Sequence, residues 1–183
     1  MTFFPKNQVR VHGRTLVTLG TLGITCVAAM GFMLTMMSWL PDWAPQASVW
    51  TIAGIEWKQA VVMNTTGKWL LSTAGMLWTL AYLTPLIALR RLGRCLYANE
   101  ALSRPVADAF RWLAHSVLGF ALFNAGSIVL AAIAAEGNHV PQHDISISVA
   151  GCYLFLIACL CLYSVAHLMQ LATEAADDAQ SIV

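Results

Sequence analysis

Four stretches without a single charged side chain decide what this chain can fold into. Residues 16–40 make 25 such positions, 69–89 make 21, 112–135 make 24 and 145–173 make 29. Each exceeds the roughly 20 residues that a helix needs to cross a ~30 Å hydrocarbon core. In lipid every backbone N–H and C=O must pair within its own segment, so the runs read as helices. Composition points the same way. Hydrophobic residues make up 58% and charged residues 10% of the 183 positions, with a mean hydropathy of +0.67. A soluble domain carries about 25% charged residues, so this chain has too little polar surface to cover itself in water. The expected fold is all-α, an integral-membrane four-helix bundle forming one domain over residues 1–183. Its spans lie at about 16–40, 69–89, 112–135 and 148–171, with an external loop over 41–68, a basic connector over 90–111 and an acidic tail over 172–183. The first and fourth runs are long enough to require tilt or to enter the headgroup layer.

The first run is too long for the ~7–15-residue core of a signal peptide, and no Ala-x-Ala site follows it. Cys26 of "GITC" lies mid-run, which does not suit a lipoprotein box. Helix one is therefore expected to be an uncleaved anchor. Cys26, Cys152, Cys159 and Cys161 fall inside the expected helices and Cys95 in the connector, with no CxxC pair. They read as small hydrophobes and not as a redox pair.

Lys and Arg counts set the orientation. The N-terminal segment carries Lys6, Arg10 and Arg14, and the connector 90–111 carries Arg90, Arg91, Arg94, Arg104 and Arg111. The loop 41–68 carries Lys58 and Lys68, and 136–144 carries none. Eight against two places the N-terminus, the connector and the C-terminal tail on the cytoplasmic side of a bacterial inner membrane. Topology alone accounts for a basic loop of this kind. A sharper reading follows if a helix continues past residue 89. Leu89, Leu92 and Leu96 then share one face, and Arg90, Arg91 and Arg94 another, which suits the membrane interface. Ser103 has the character of an N-cap, with Pro105 in the first turn of the next helix. The tail carries Glu174, Asp177 and Asp178 with no basic residue. Carboxylates at a helix C-terminus oppose the macrodipole and favour a cationic neighbour. The connector arginines and these three carboxylates are thus the candidate contacts with lipid or with a partner protein.

None of the spans holds Lys, Arg, Asp or Glu. Ion-coupled transporters place ionisable groups at depth, which disfavours a small transporter, the third reading. His115 and His167 lie about one turn inside the cytoplasmic ends of helices three and four. On antiparallel neighbours they would share a depth, where two imidazoles can hold a haem iron or a metal. That arrangement defines the second reading, an electron-transfer subunit with haem b between them. The plainer account is two interfacial imidazoles, and no cofactor is expected. On the outer side, "EGNHVPQHD" places Glu136, His139, His143 and Asp144 close together. The i, i+4 spacing of His139 and His143 suits a metal on a helix, whereas Pro141 between them suits a polar turn.

In the loop 41–68, Trp43, Trp50 and Trp57 recur every seven residues. Tryptophan prefers the headgroup level, so this segment is expected along the outer leaflet. Ser127, Ala131 and Ala135 form a small-xxx-small stripe on helix three, and Gly20, Thr21 and Gly23 a comparable patch on helix one. Asn124 is a candidate interhelical hydrogen-bond former. Pro85 is expected to kink helix two. No phosphate-cradling loop, nucleophile–base pair or nucleic-acid-binding patch stands out.

The stretch "LIALRRLGRCLYANEALSRPVADAFRWLAHSVL" resembles the signature of a bacterial membrane-protein family catalogued as domain of unknown function 2975. The corresponding residues are the basic leucine-rich segment 89–97, the break with Glu100 and Leu102, and the basic helix start at 104–112. Leu102 and Ser103 stand where the family pattern has Phe and Thr. The closing "LYSVAHLMQLATEAADDAQSIV" is similar to the family's last helix and acidic tail. The resemblance implies four spans, no catalytic residues, and for some members a neighbouring helix-turn-helix regulator. Together these readings lead to a bacterial inner-membrane protein, non-enzymatic and regulatory or sensing. Its expected partners are the lipid bilayer, a cytoplasmic regulator protein and further copies of itself, with no direct contact to nucleic acid.

Overall fold

The computed structural model describes residues 6–37, 39, 50–52, 55–57, 64–98, 103–138, 143–145 and 149–181. It describes side chains for 10–36, 39, 64–98, 103–138, 153, 155–175 and 178. Four long helices dominate: α1 (Lys6–Met37), α2 (Thr65–Ala98), α3 (Arg104–Gly137) and α4 (Val149–Ser181). All four are long and apolar enough to cross a membrane. At 32 to 34 residues they measure about 50 Å, well beyond a ~30 Å core. The helices therefore run through boundaries that charge alone suggested. α2 continues past Leu89 to Ala98, α3 starts at Arg104, and α4 carries the acidic tail to Ser181. Most of the connector 90–111 is helix. Val106 and Ala107 N–H both donate to the Ser103 carbonyl, so Ser103 does stand at the N-cap and Pro105 in the first turn.

Three short strands were not expected. β1 (Trp50–Ile52), β2 (Ile55–Trp57) and β3 (His143–Ile145) form an antiparallel sheet in that order. The loops read as a leaflet-lying segment and as a polar turn thus pair with one another. Trp50 faces Trp57, Glu56 faces Asp144 and Trp57 faces His143. The local reason is the β-branched and aromatic residues Trp50, Thr51, Ile52, Ile55 and Trp57 in the two paired segments.

The chain divides into two compact units. The first comprises Met1–Ile24, Thr84–Leu118 and Ala150–Val183, and the second Thr25–Leu83 and Gly119–Val149. In the second unit, small residues let the helices approach. Ser127, Ala131, Ala134 and Ala135 of α3 are fully buried, as is Ala74 of α2, and the Ser127 hydroxyl donates to the Ala74 carbonyl at 2.8 Å. Gly31 of α1 lies directly against Thr79. Trp78, Tyr82 and Phe120 stack successively at 4.6 and 5.1 Å, and Trp39 meets Trp69 edge-on at 4.8 Å. The Asn64 side chain caps α2 by accepting from Gly67 N–H at 2.7 Å, and Asn64 N–H donates to the Asn138 side chain at 2.8 Å. Asn138 also donates to the Ala134 carbonyl, so the start of α2 is tied to the end of α3. The side chain of Asn124, the expected interhelical bond former, makes no hydrogen bond among the described residues.

In the first unit α1 and α2 meet backbone to backbone. A Cβ on Gly13 would stand 2.8 Å from the Tyr97 nitrogen and 2.9 Å from the Gly93 oxygen, and one on Gly93 would stand 2.9 Å from the Gly13 oxygen. Gly20 lies against Arg90 and Gly23 against Leu86, so the patch expected on helix one is a contact surface. It extends to Gly13, whose partner Gly93 lies outside any small-residue repeat. Replacing Gly13 by Ala should lower stability by about 1–3 kcal/mol, because backbone atoms cannot move aside as a side-chain tip can. Gly126→Ala, whose new methyl meets only a Leu77 methyl at 3.4 Å, should be neutral or gain up to ~1 kcal/mol of helix propensity. Thermal melts of the two variants in one detergent compare them directly.

Candidate functional site

The arginines of the first unit are positioned by its core. Leu92, Val106 and Ala109 are buried together, with Cys95, Leu96, Phe110, Leu113 and Met169 packed against them. The leucine face of α2 is thus covered by α3 and α4 and is not free to lie on a membrane surface. Covering it fixes where the arginines go. Arg91 and Arg94 of α2, Arg10 and Arg14 of α1, and Arg104 and Arg111 of α3 are exposed. Arg90 departs from the shared arginine face expected of it. It is half-buried on the side of α2 that meets α1 at Gly20, and its Nε is closed off from solvent with no hydrogen-bond partner. Arg91 holds its guanidinium 5.2 Å above the ring of Trp112. The side chains of Arg10, Arg14, Arg90, Arg91, Arg94 and Arg111 form no ion pair or hydrogen bond among the described residues.

The acidic tail is a continuation of α4. Thr173 is 4% exposed and Ala166 7%, seven residues apart on one face, so the helix stays packed as far as Thr173, next to the first carboxylate of the tail. Glu174 is exposed and accepts from Gln170 on the same helix at 3.2 Å. Asp178, one turn on, is also exposed. Asp177 lies in the helix between them, and its side chain is outside the described residues.

His115 and His167 are both exposed. His115 Nδ1 lies 2.7 Å from the Arg111 carbonyl of its own helix, and its ring meets Tyr163 edge-on at 5.4 Å. Tyr163 precedes His167 by one turn of α4, so the residue that touches His115 is the tyrosine. His143 opens β3 opposite Trp57. The helical spacing that would have suited a metal with His139 therefore does not apply. His139 itself lies outside the described residues. No group of three metal-ligating side chains forms among the described residues. Sequence reasoning missed Tyr163 as the partner of His115. It also missed Glu56, which faces Asp144 across the sheet.

Hydroxyl groups supply a further physical observation. Thr15, Thr18, Thr73 and Ser164 are exposed, yet each hydroxyl donates to a carbonyl four residues back at 2.8–3.0 Å. A hydroxyl satisfied within its own helix can face an apolar medium without an unpaired donor.

No protein-family model, curated protein or solved structure matches the chain. The Arg91–Trp112 contact is open to direct measurement. A double-mutant cycle with Arg91→Gln and Trp112→Leu should give a coupling of about 0.5–1 kcal/mol, the range of a partly exposed cation–π pair.

Proposed function

We propose that the chain is a multi-pass protein of a bacterial cytoplasmic membrane, with its termini and arginine connector on the cytoplasmic side. Its work is to hold a soluble regulatory protein at the membrane, without catalysis. The observation that carries this reading is the form of the acidic tail. α4 continues as one helix through Glu174 and Asp178 to Ser181, anchored by the buried Thr173. Two exposed carboxylates one turn apart on a packed helix make a fixed acidic ridge, and a fixed ridge loses less entropy on docking than a flexible tail. Such a ridge offers a basic DNA-binding domain the charge pattern of a nucleic-acid backbone. The likeness of residues 86–118 to the family named above supports a regulator as the partner. Orientation rests on the eight-to-two distribution of Lys and Arg.

Cross-linking in intact cells, followed by affinity capture of the full chain, tests the partner. The wild type should retain a basic cytoplasmic protein at low salt. The E174K/D178K double variant should lose at least tenfold of it, while its helix content is unchanged by circular dichroism. Equal recovery by both forms, or none with the tail intact, contradicts the reading.

A further inference from the structure

Arg91 and Arg94 turn outward on α2 beside Ile87, and Arg90, at the i, i+4 spacing from Arg94, borders them where α2 meets α1 at Gly20. Ile87 is 54% exposed, and Trp112, which carries Arg91 over its ring, is 57% exposed. Exposed apolar surface thus passes into guanidinium groups within one turn, beside an exposed indole. Arg90 is the deepest of the three. It lies level with Gly20, inside the uncharged run 16–40 of α1, where the preceding residue Leu19 is exposed. A cation at that level, with a desolvated Nε donor, finds no acceptor or counter-charge among the described residues. Arg94, one turn further out, is exposed and likewise without a partner among the described residues.

We infer that Arg90, Arg91 and Arg94 form a headgroup site for an anionic phospholipid. The phosphodiester oxygens accept from the guanidinium groups of Arg90 and Arg94, and an acyl chain lies along Ile87. A guanidinium presents a planar fork of donors that matches two phosphate oxygens at once. Trp112 fixes Arg91 as a flanking positive charge. The exposed Ile87 and Leu19 select lipid over a free anion, because a soluble phosphate gains nothing from apolar walls and a phospholipid covers them. The inference rests on the membrane reading above, and the two can fail separately.

The test is native mass spectrometry of the full chain purified in detergent. It is titrated with phosphatidylglycerol or with phosphatidylcholine of the same acyl chains. Phosphatidylglycerol should be retained in preference to phosphatidylcholine. Arg90→Gln and Arg94→Gln should each weaken that retention about fivefold, the effect of one charge near a lipid surface. Lys68→Gln, in the other unit, should leave retention unchanged. Arg90→Gln removes a desolvated donor, so its melting temperature should not fall, which separates loss of the site from loss of the fold. Equal retention of the two lipids, retention unchanged in both Arg90→Gln and Arg94→Gln, or displacement by excess inorganic phosphate would each overturn the inference. Extraction of the chain from membranes by alkaline carbonate would instead defeat the membrane reading, whatever the micelle experiment shows.

Discussion

In the membrane that the proposal above gives these four apolar helices, a backbone cannot reach water and has to close its hydrogen bonds on itself, and the rest of the reading follows from that constraint. Helices of 32 to 34 residues do so without help from neighbours. The same rule governs the exposed hydroxyls of Thr15, Thr18, Thr73 and Ser164, which turn back to their own helices. Once the backbone is closed, little hydrophobic force remains to draw one helix to another in lipid. Close packing and a few buried hydrogen bonds take over. Gly13 against Gly93 and Ser127 against Ala74 are the places where this chain achieves that approach, one in each unit.

The charged groups are arranged by the packing and do not arrange it. Leu92 and Leu96 face α3, so Arg91 and Arg94 are turned outward and Arg90 is turned against α1. The buried Thr173 likewise extends the packed part of α4 into the tail and sets the direction of Glu174 and Asp178. A basic side on α2 and an acidic ridge on the last helix are separate surfaces. In the proposals above, one would meet a phospholipid headgroup and the other a soluble protein. Exposed pairs contribute only ~0–1 kcal/mol each, so either contact depends on several charges held together.

The four helices were legible in the sequence because uncharged runs of 21 to 29 residues leave no other element in lipid. Helix ends were not legible from charge. The start of α3 was marked instead by Ser103 and Pro105, and a continuation of α2 past Leu89 by its leucine spacing, whereas the packing of Leu92, Leu96, Val106 and Ala109 with one another is a tertiary fact. The sheet was missed because three residues per strand give too little alternation to rise above loop composition, and because β3 comes from a distant loop. Ser127, Ala131 and Ala135 were readable by their spacing. Asn138 could have been suspected from its place after Gly137, at the end of an apolar run, but its bond to Asn64 spans 74 positions and leaves no local trace. Arg90 was misplaced for the same reason. A helical wheel puts it with Arg91 and Arg94, and only the glycine at position 20 of α1 reveals that one side of it is occupied.

The measurement that bears most directly on the account uses the two ends of one helix. Asp108 lies near the start of α3 and Glu136 near its end, and both are exposed. Each is replaced by Cys in the full chain, and labelling by a membrane-impermeant thiol reagent is compared with that of the unsubstituted protein. The account predicts that the site at 136 labels in intact cells and the site at 108 only after the membrane is opened. Labelling of both from the same side would show that α3 does not cross the bilayer. It would remove the basis for the orientation, the lipid site and the cytoplasmic partner together.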